Sequence, residues 1–382
     1  MSTPLRVAFL AGGLIQGGAE KQLVYMAQGL RRAGADVRVY SLTRGDHYES
    51  SLIASGLAPV WVGRVGNPAA RVVSLVNAMR GFRPHVVQSG HFFANLHVSL
   101  AAVPFGAAGI GCIRSDTYQE MKVNGAWGRL LLRLPRAIVA NSYAARDNAR
   151  AFGIDPGKIE VLPNVLDLGL FDGAPPVSLP GGAASGGPVV AAVCRLVDVK
   201  RLDHFLAAIA KARRAVPGLR GLIVGEGPEE SRLRSLAGEL GLLPDGVIFA
   251  GKRDDIPGML KSSTMVVISS DHEGFPNVAL EAMAARLPVV TTRVGDAPVI
   301  VEDGATGFVV PVGDVDRMAE GIIDLARDPA KRDAFGAAGR RKVEASFSVE
   351  RVAGLLLAAY RSIGERLGKK TLVRRATQLM AL

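Results

Sequence analysis

Residues 271–284 read DHEGFPNVALEAMA, with Glu273 just ahead of a Gly-Phe-Pro-Asn turn and Glu281 inside an otherwise apolar run from 278 to 285. Pro276 suits the first turn of a helix, where its missing N–H costs nothing. Good helix formers follow from 277 to 285, and Pro288 stops the helix before the strand-like 288–292. Apolar residues lie all round this helix, so it belongs between a sheet and other elements. An ionised carboxylate buried there without partners would cost about several kcal/mol. Glu281 is therefore ion-paired, hydrogen-bonded or turned to an opening. Two readings remain at this point. One is a capping carboxylate plus an ion-paired glutamate; the other is a rim where two acceptors grip hydroxyl groups while free helix N–H groups face an anion.

Working outward, 265–269 reads as a strand leading into this stretch. Ahead of it strand and helix alternate: strands at 189–193, 218–224 and 246–250, helices at 204–216, 229–240 and 256–262. The first half alternates too, with strands at 5–11, 36–42, 59–62, 85–88, 107–114 and 137–140 and a helix at 19–33. Such alternation means parallel sheets covered by helices on both faces. Residues 173–188, GAPPVSLPGGAASGGP, form a linker by composition. The expected organisation is a first domain over 1–172, the linker 173–188 and a second domain over 189–365, with a tail from about 366 to 382 packing back on the first. The expected fold class is α/β: two doubly wound, Rossmann-like domains facing across a deep cleft. Ligands of such sheets bind beyond the carboxyl ends of the strands.

With 382 residues, 48% of them hydrophobic, the chain can fill two cores. Its two cysteines, Cys112 and Cys194, lie far apart without metal-ligand spacing, which suits a reducing cytoplasm. The N-terminal run reads as a first strand, not as a signal peptide. No apolar stretch reaches the roughly 20 residues of a membrane span. A net charge of +11 implies an anionic partner. Nucleic acid is the least favoured, because aromatic residues make up only 5% and no aromatic-basic signature occurs.

Several motifs follow strands. Arg195 and Lys200, just past 189–193, could supply a planar fork and a point charge to a diphosphate; otherwise they are solvated loop residues. The loop with Gly12, Gly13, Gly17 and Gly18 lets backbone approach a ligand, and the helix after it offers free N–H groups, though taken alone it reads first as a tight turn with no ligand. It is neither a P-loop nor G-x-G-x-x-G. The turn at 225–228, GEGP, reads as structural. Asp314 sits where a helix N-cap belongs and is no metal ligand. His91, after 85–88, reads first as a partly buried structural histidine.

Together these pieces resemble the family 4 retaining glycosyltransferases, which have the GT-B fold. The resemblance runs through Gly17-Gly18-Ala19-Glu20, 139–142 (VANS), 159–164 (IEVLPN), Arg195 with Lys200, 224–228 (VGEGP), the glutamate–seven residues–glutamate signature from Glu273 to Glu281, and 304–307 (GATG). It departs from the family's usual pattern at 86–95, where Gln88 and Gly90 stand and His91 is offset, and at Val165, Cys194 and Arg201. The resemblance implies a nucleotide-sugar donor, UDP- or GDP-linked, and no required cofactor or metal. Glu281 would accept from the ribose hydroxyls and Glu273 from the sugar. The backbone of Gly274, Phe275, Pro276, Asn277 and Val278 would run beside sugar and diphosphate. Arg195 and Lys200 would clamp the diphosphate, with Gly17 and Gly18 approaching it from the first domain. Glu273, Arg195, Lys200 and His91 are the candidate catalytic residues.

The expected activity is transfer of a hexosyl or N-acetylhexosaminyl unit, with retention, to a lipid-linked or polysaccharide acceptor of a cell-envelope glycan such as lipopolysaccharide, exopolysaccharide or glycolipid. A nucleotide-sugar epimerase or hydrolase and a silent nucleotide-sugar-binding subunit are the alternatives. Basic and apolar residues mix at 127–136 and 369–375, a pattern that can lie on an anionic bilayer. Peripheral attachment to the inner face of the cytoplasmic membrane is therefore expected.

Overall fold

A computed structural model describes residues 4–64, 66–180 and 186–381. Its contacts divide the chain into two compact units, one formed by the chain up to Val165 and again from Val349, the other by Leu166–Ser348.

The first unit is built on seven parallel strands: β1 (Arg6–Ala11), β2 (Asp36–Ser41), β3 (Val60–Trp61), β4 (Val86–Ser89), β5 (Ala108–Ile113), β6 (Ala137–Ala140) and β7 (Ile159–Val161). Their spatial order is β3-β2-β1-β4-β5-β6-β7. Strands such as RVAFLA are buried along nearly their whole length, as expected of a sheet covered on both faces. The order reverses between β1 and β4, so the loops after those two strands flank the switch point.

The second unit has six parallel strands: β8 (Val189–Val193), β9 (Arg220–Val224), β10 (Val247–Phe249), β11 (Met265–Ile268), β12 (Val289–Thr292) and β13 (Gly307–Val310). They are arranged β10-β9-β8-β11-β12-β13, with the reversal between β8 and β11.

Two features differ from the sequence-based expectation. The return to the first unit comes at Val349, ahead of the expected 366. Helix Val352–Arg366 lays Val352, Leu356, Tyr360 and Ile363 into the core that holds Leu23, Ala27 and Leu30 of helix Gly18–Arg32. Gly29 permits the approach: a Cβ there would stand 2.4 Å from Val352 Cγ1. Tyr360 Oη donates to Gln88 Oε1 at 2.6 Å, tying the helix to β4.

The expected linker, in its described part up to 180, lies on the second unit. Val177 N donates to Ser262 Oγ at 2.8 Å, Ser262 Oγ to Val177 O at 2.7 Å and Lys261 Nζ to Ala174 O at 2.7 Å. Residues 181–185 of that linker lie outside the described residues.

Candidate functional site

In the second unit the site grows from the carboxyl ends of β8 and β11. β8 runs into a loop whose single 3-10 turn, Asp198–Lys200, ends on Arg201 with φ +46°. This left-handed residue is held by ion pairs from its guanidinium to Asp203 and Asp271, each at 3.0 Å. Arg201 is thereby a structural cation. Ser269 Oγ donates to Lys200 O at 2.8 Å, and Asp271 N to Val199 O at 2.9 Å. The two loops are thus laced together, and Lys200 meets Glu273: its Nζ donates to Glu273 Oε1 at 2.5 Å, with both side chains largely buried. Ser270 Oγ donates to the same oxygen at 2.7 Å.

The turn carrying Glu273 is fixed from below. Asp296 N donates to Gly274 O at 3.1 Å. Gly295, at φ +48°, comes so close that a Cβ would stand 2.2 Å from Glu273 O. Phe275 is buried and packs edge-on against Phe347. Helix Asn277–Ala284 then begins behind Pro276, which provides no side-chain cap. The helix buries Ala279, Leu280, Ala282, Met283 and Ala284. Asn277, Val278 and Glu281 stay half-buried along one face. Glu281 stands four residues beyond Asn277, about 6 Å along the axis.

Arg195 leaves β8 with an exposed side chain, while its backbone is clamped. Cys194 N donates to Val224 O and Leu196 N to Glu226 O, both at 3.0 Å. A Cβ on Gly225 would lie 1.9 Å from Cys194 O, and one on Gly227 2.2 Å from Leu196 O. The GEGP turn therefore acts as the bed of the Arg195 loop. Cys194, next in line, is half-buried; burial pushes its thiol up to about 11 and Lys200 partly opposes this. It stays protonated at neutral pH.

In the first unit, Gly17 is the N-cap of helix Gly18–Arg32 and provides no side chain of its own. Glu20, in the first turn of that helix, is buried and contacts His91 Nε2 at 2.9 Å. His91 Nδ1 accepts from Gly12 N at 3.0 Å. The Nδ1 atom therefore bears no proton, and Nε2–H donates to the Glu20 carboxylate. Both ring nitrogens are engaged, and the ring stacks on Phe93 at 5.6 Å. Glu20 and Ser270 are the partners that sequence reading did not assign. Glu20 was visible as an acid in the first turn after Gly17-Gly18, but its histidine lies 71 residues away.

Asp314 accepts from Arg317 N at 3.0 Å, as an N-cap does. Among the described residues, no group of three or more His, Cys, Asp or Glu side chains could hold a metal ion. No helix among them is long and apolar enough to cross a membrane. The tail helix Lys370–Met380 buries Leu372 and Ala376 in the core of the first unit.

Comparison with known proteins fits this architecture. Residues 16–170 match the family described as Glycosyltransferase Family 4, and residues 180–342 match Glycosyl transferases group 1. The chain is 32% identical to a D-inositol 3-phosphate glycosyltransferase of Segniliparus rotundus over 252 residues, 62% of this chain and 54% of that protein. It is 36% identical to a GDP-mannose-dependent monoacylated alpha-(1-6)-phosphatidylinositol monomannoside mannosyltransferase of Corynebacterium glutamicum over 224 residues, 55% of this chain and 58% of that one. The chain thus spans about half the length of the curated relatives it matches. Among solved structures, HepE of Anabaena in complex with UDP superposes with a TM-score of 0.79 at 21% identity, covering 93% of this chain and 99% of the other. Two parallel sheets of seven and six strands, with both family matches falling in chain order upon them, place this chain in glycosyltransferase family 4, with the GT-B fold.

Proposed function

We propose that the protein is a metal-independent transferase that moves a sugar, with retention, from a nucleotide-sugar to a lipid-linked or polysaccharide acceptor in cell-envelope glycan synthesis. The carrying observation is the Lys200–Glu273 pair, set just ahead of helix Asn277–Ala284, which carries Glu281. Relatives point the same way, one named for GDP-mannose and a phosphatidylinositol mannoside, and a solved structure for UDP.

In this reading Lys200 waits on Glu273 until a donor arrives. The ammonium then turns to the diphosphate and releases Glu273 to accept from sugar hydroxyls. Glu281 accepts from the ribose. As the glycosyl–phosphate bond breaks, charge grows on the leaving diphosphate. Lys200, Arg195 and the first-turn N–H groups of helix Asn277–Ala284 meet that charge with donors already in place. His91, held by Glu20 and Gly12, keeps a fixed orientation in the first unit and has no ring nitrogen left over as a base.

Attachment to an anionic membrane surface is part of the reading. The exposed apolar and basic side chains of helix Thr117–Arg133 support it, among them Val123 and Trp127, 72% and 67% exposed. The tail segment 369–375 is less suited, because Leu372 is committed to the core.

The test is turnover of UDP- and GDP-sugars with envelope lipid extracts. Sugar transfer to lipid supports the proposal. An isomerised or hydrolysed donor makes it an epimerase or hydrolase, and binding without turnover makes it a silent subunit.

A further inference from the structure

Helix Thr117–Arg133 is broken at Gly125, whose φ of +54° and ψ of −134° lie outside the helical region. Beside the break opens a cavity of about 400 Å³ lined by Met121, Gly125, Ala126, Arg129 and Phe152. That volume falls in the ~300–1,000 Å³ range of small-molecule sites. Four of the five lining residues are apolar or glycine. Met121 and Phe152 rest on the buried cluster of Ile113, Leu132 and Ile138, so the floor is core. Tyr118 braces Phe152 edge-on at 5.4 Å. The single charge in the lining is the exposed guanidinium of Arg129. Lys122 and Arg133 are exposed on the same segment.

A hollow floored by Met121 and Phe152, with a cation at its edge, is complementary to an amphiphile with one hydrocarbon chain and an anionic head. Free anions would leave the Met121 and Phe152 surface dry and unused, and a neutral lipid would leave Arg129 without a partner. We infer that this cavity receives the first segment of the hydrocarbon chain of an anionic lipid-linked acceptor, with Arg129 on its phosphate. The inference rests on the transferase reading and adds to it a lipid-holding subsite wholly within the first unit.

The test uses decyl phosphate below its micelle concentration, followed by Trp127 fluorescence and calorimetry on the full chain. Saturable one-to-one binding is expected, weakening about fourfold for each methylene removed. Ala126→Trp, which fills the cavity from an exposed position, should weaken binding by about tenfold or more. Arg129→Gln should weaken decyl phosphate and leave decyl maltoside unaffected. Equal affinity of wild type and Ala126→Trp overturns the inference. So does light scattering that shows a dimer dissociated by Ala126→Trp, which makes a second copy the occupant. Loss of recruitment of Ala126→Trp to phosphatidylglycerol vesicles makes the occupant a bilayer lipid and also overturns it. Thermal stabilisation by UDP- or GDP-sugars, read on the same samples, separates the two levels. Its absence sinks the transferase reading, whereas its presence without decyl phosphate binding sinks the cavity alone.

Discussion

Lys200 Nζ and Ser270 Oγ converge on one oxygen of Glu273, at 2.5 and 2.7 Å. The carboxylate is thus oriented by two donors from two loops, and the ammonium is held at the carboxyl end of the sheet instead of sweeping through solvent. Lys200→Gln keeps a donor to Glu273 and removes the charge. Donor turnover is expected to fall by about 10²–10³, the usual cost of losing one preorganised charge-stabilising group. Far-UV dichroism should stay unchanged. Steady-state kinetics with the productive nucleotide-sugar decide it, and a Lys200→Gln enzyme of wild-type rate would remove Lys200 from the chemistry.

Glu281 is the charged residue of helix Asn277–Ala284, half-buried among mostly buried apolar neighbours, and a ribose would use it as an acceptor. Hydrogen bonds to a charged group contribute about 1.5–3 kcal/mol. Glu281→Ala is therefore expected to weaken nucleotide-sugar binding by roughly ten- to a hundredfold. Ligand-linked shifts in melting temperature measure this directly. A folded variant with unaltered affinity would take the ribose role away from this residue.

Much of this was legible from sequence because the decisive strands are short β-branched runs bounded by Gly or Pro. Val189–Val193 and Val289–Thr292 are examples. β7 and β13 were harder: Ile159–Val161 has only three residues with Glu160 in the middle, and Gly307–Val310 opens on glycine. Sequence reading places helix Val352–Arg366 with the second domain, because nothing in its order along the chain says which sheet it covers. That is settled by Gly29, more than 300 residues earlier. The glutamates could be singled out locally. Their partners could not, since Lys200 lies 73 residues from Glu273 and Glu20 lies 71 from His91. Pairings of that range come from strand order, which periodicity does not encode.

The bed of the Arg195 loop gives a backbone prediction. Gly225 has φ +140°, and a Cβ there would press on Cys194 O at 1.9 Å. Gly225→Ala therefore meets both strain and a clash that backbone cannot yield to cheaply. A loss of about 1–3 kcal/mol is expected, with a fall in melting temperature of about 2–4 °C per kcal/mol for a unit of this size. Turnover should drop as well, because the displaced carbonyl belongs to the residue before Arg195. Calorimetry checks the first part and kinetics the second. A variant as stable as wild type would show that the loop does not need this close approach.

His85 supplies a pH dependence. Its Nδ1 accepts from Arg6 N at 2.9 Å, ahead of β4. Burial, with Arg6 and Arg375 nearby, lowers its pKa from 6.5 to about 4. Between those values the unfolded chain binds a proton at this site and the folded chain does not. Stability therefore rises with pH across the window from about 4 to 6.5 and is lost as pH falls through it. The slope is at most one proton, about 1.4 kcal/mol per pH unit, and protonation also abolishes the acceptor for Arg6 N–H. His85→Asn keeps an acceptor oxygen and cannot titrate, so its stability should be flatter over the same range. Urea denaturation of both proteins from pH 4 to 7 measures the difference, and parallel curves would mean that other groups carry the acid sensitivity.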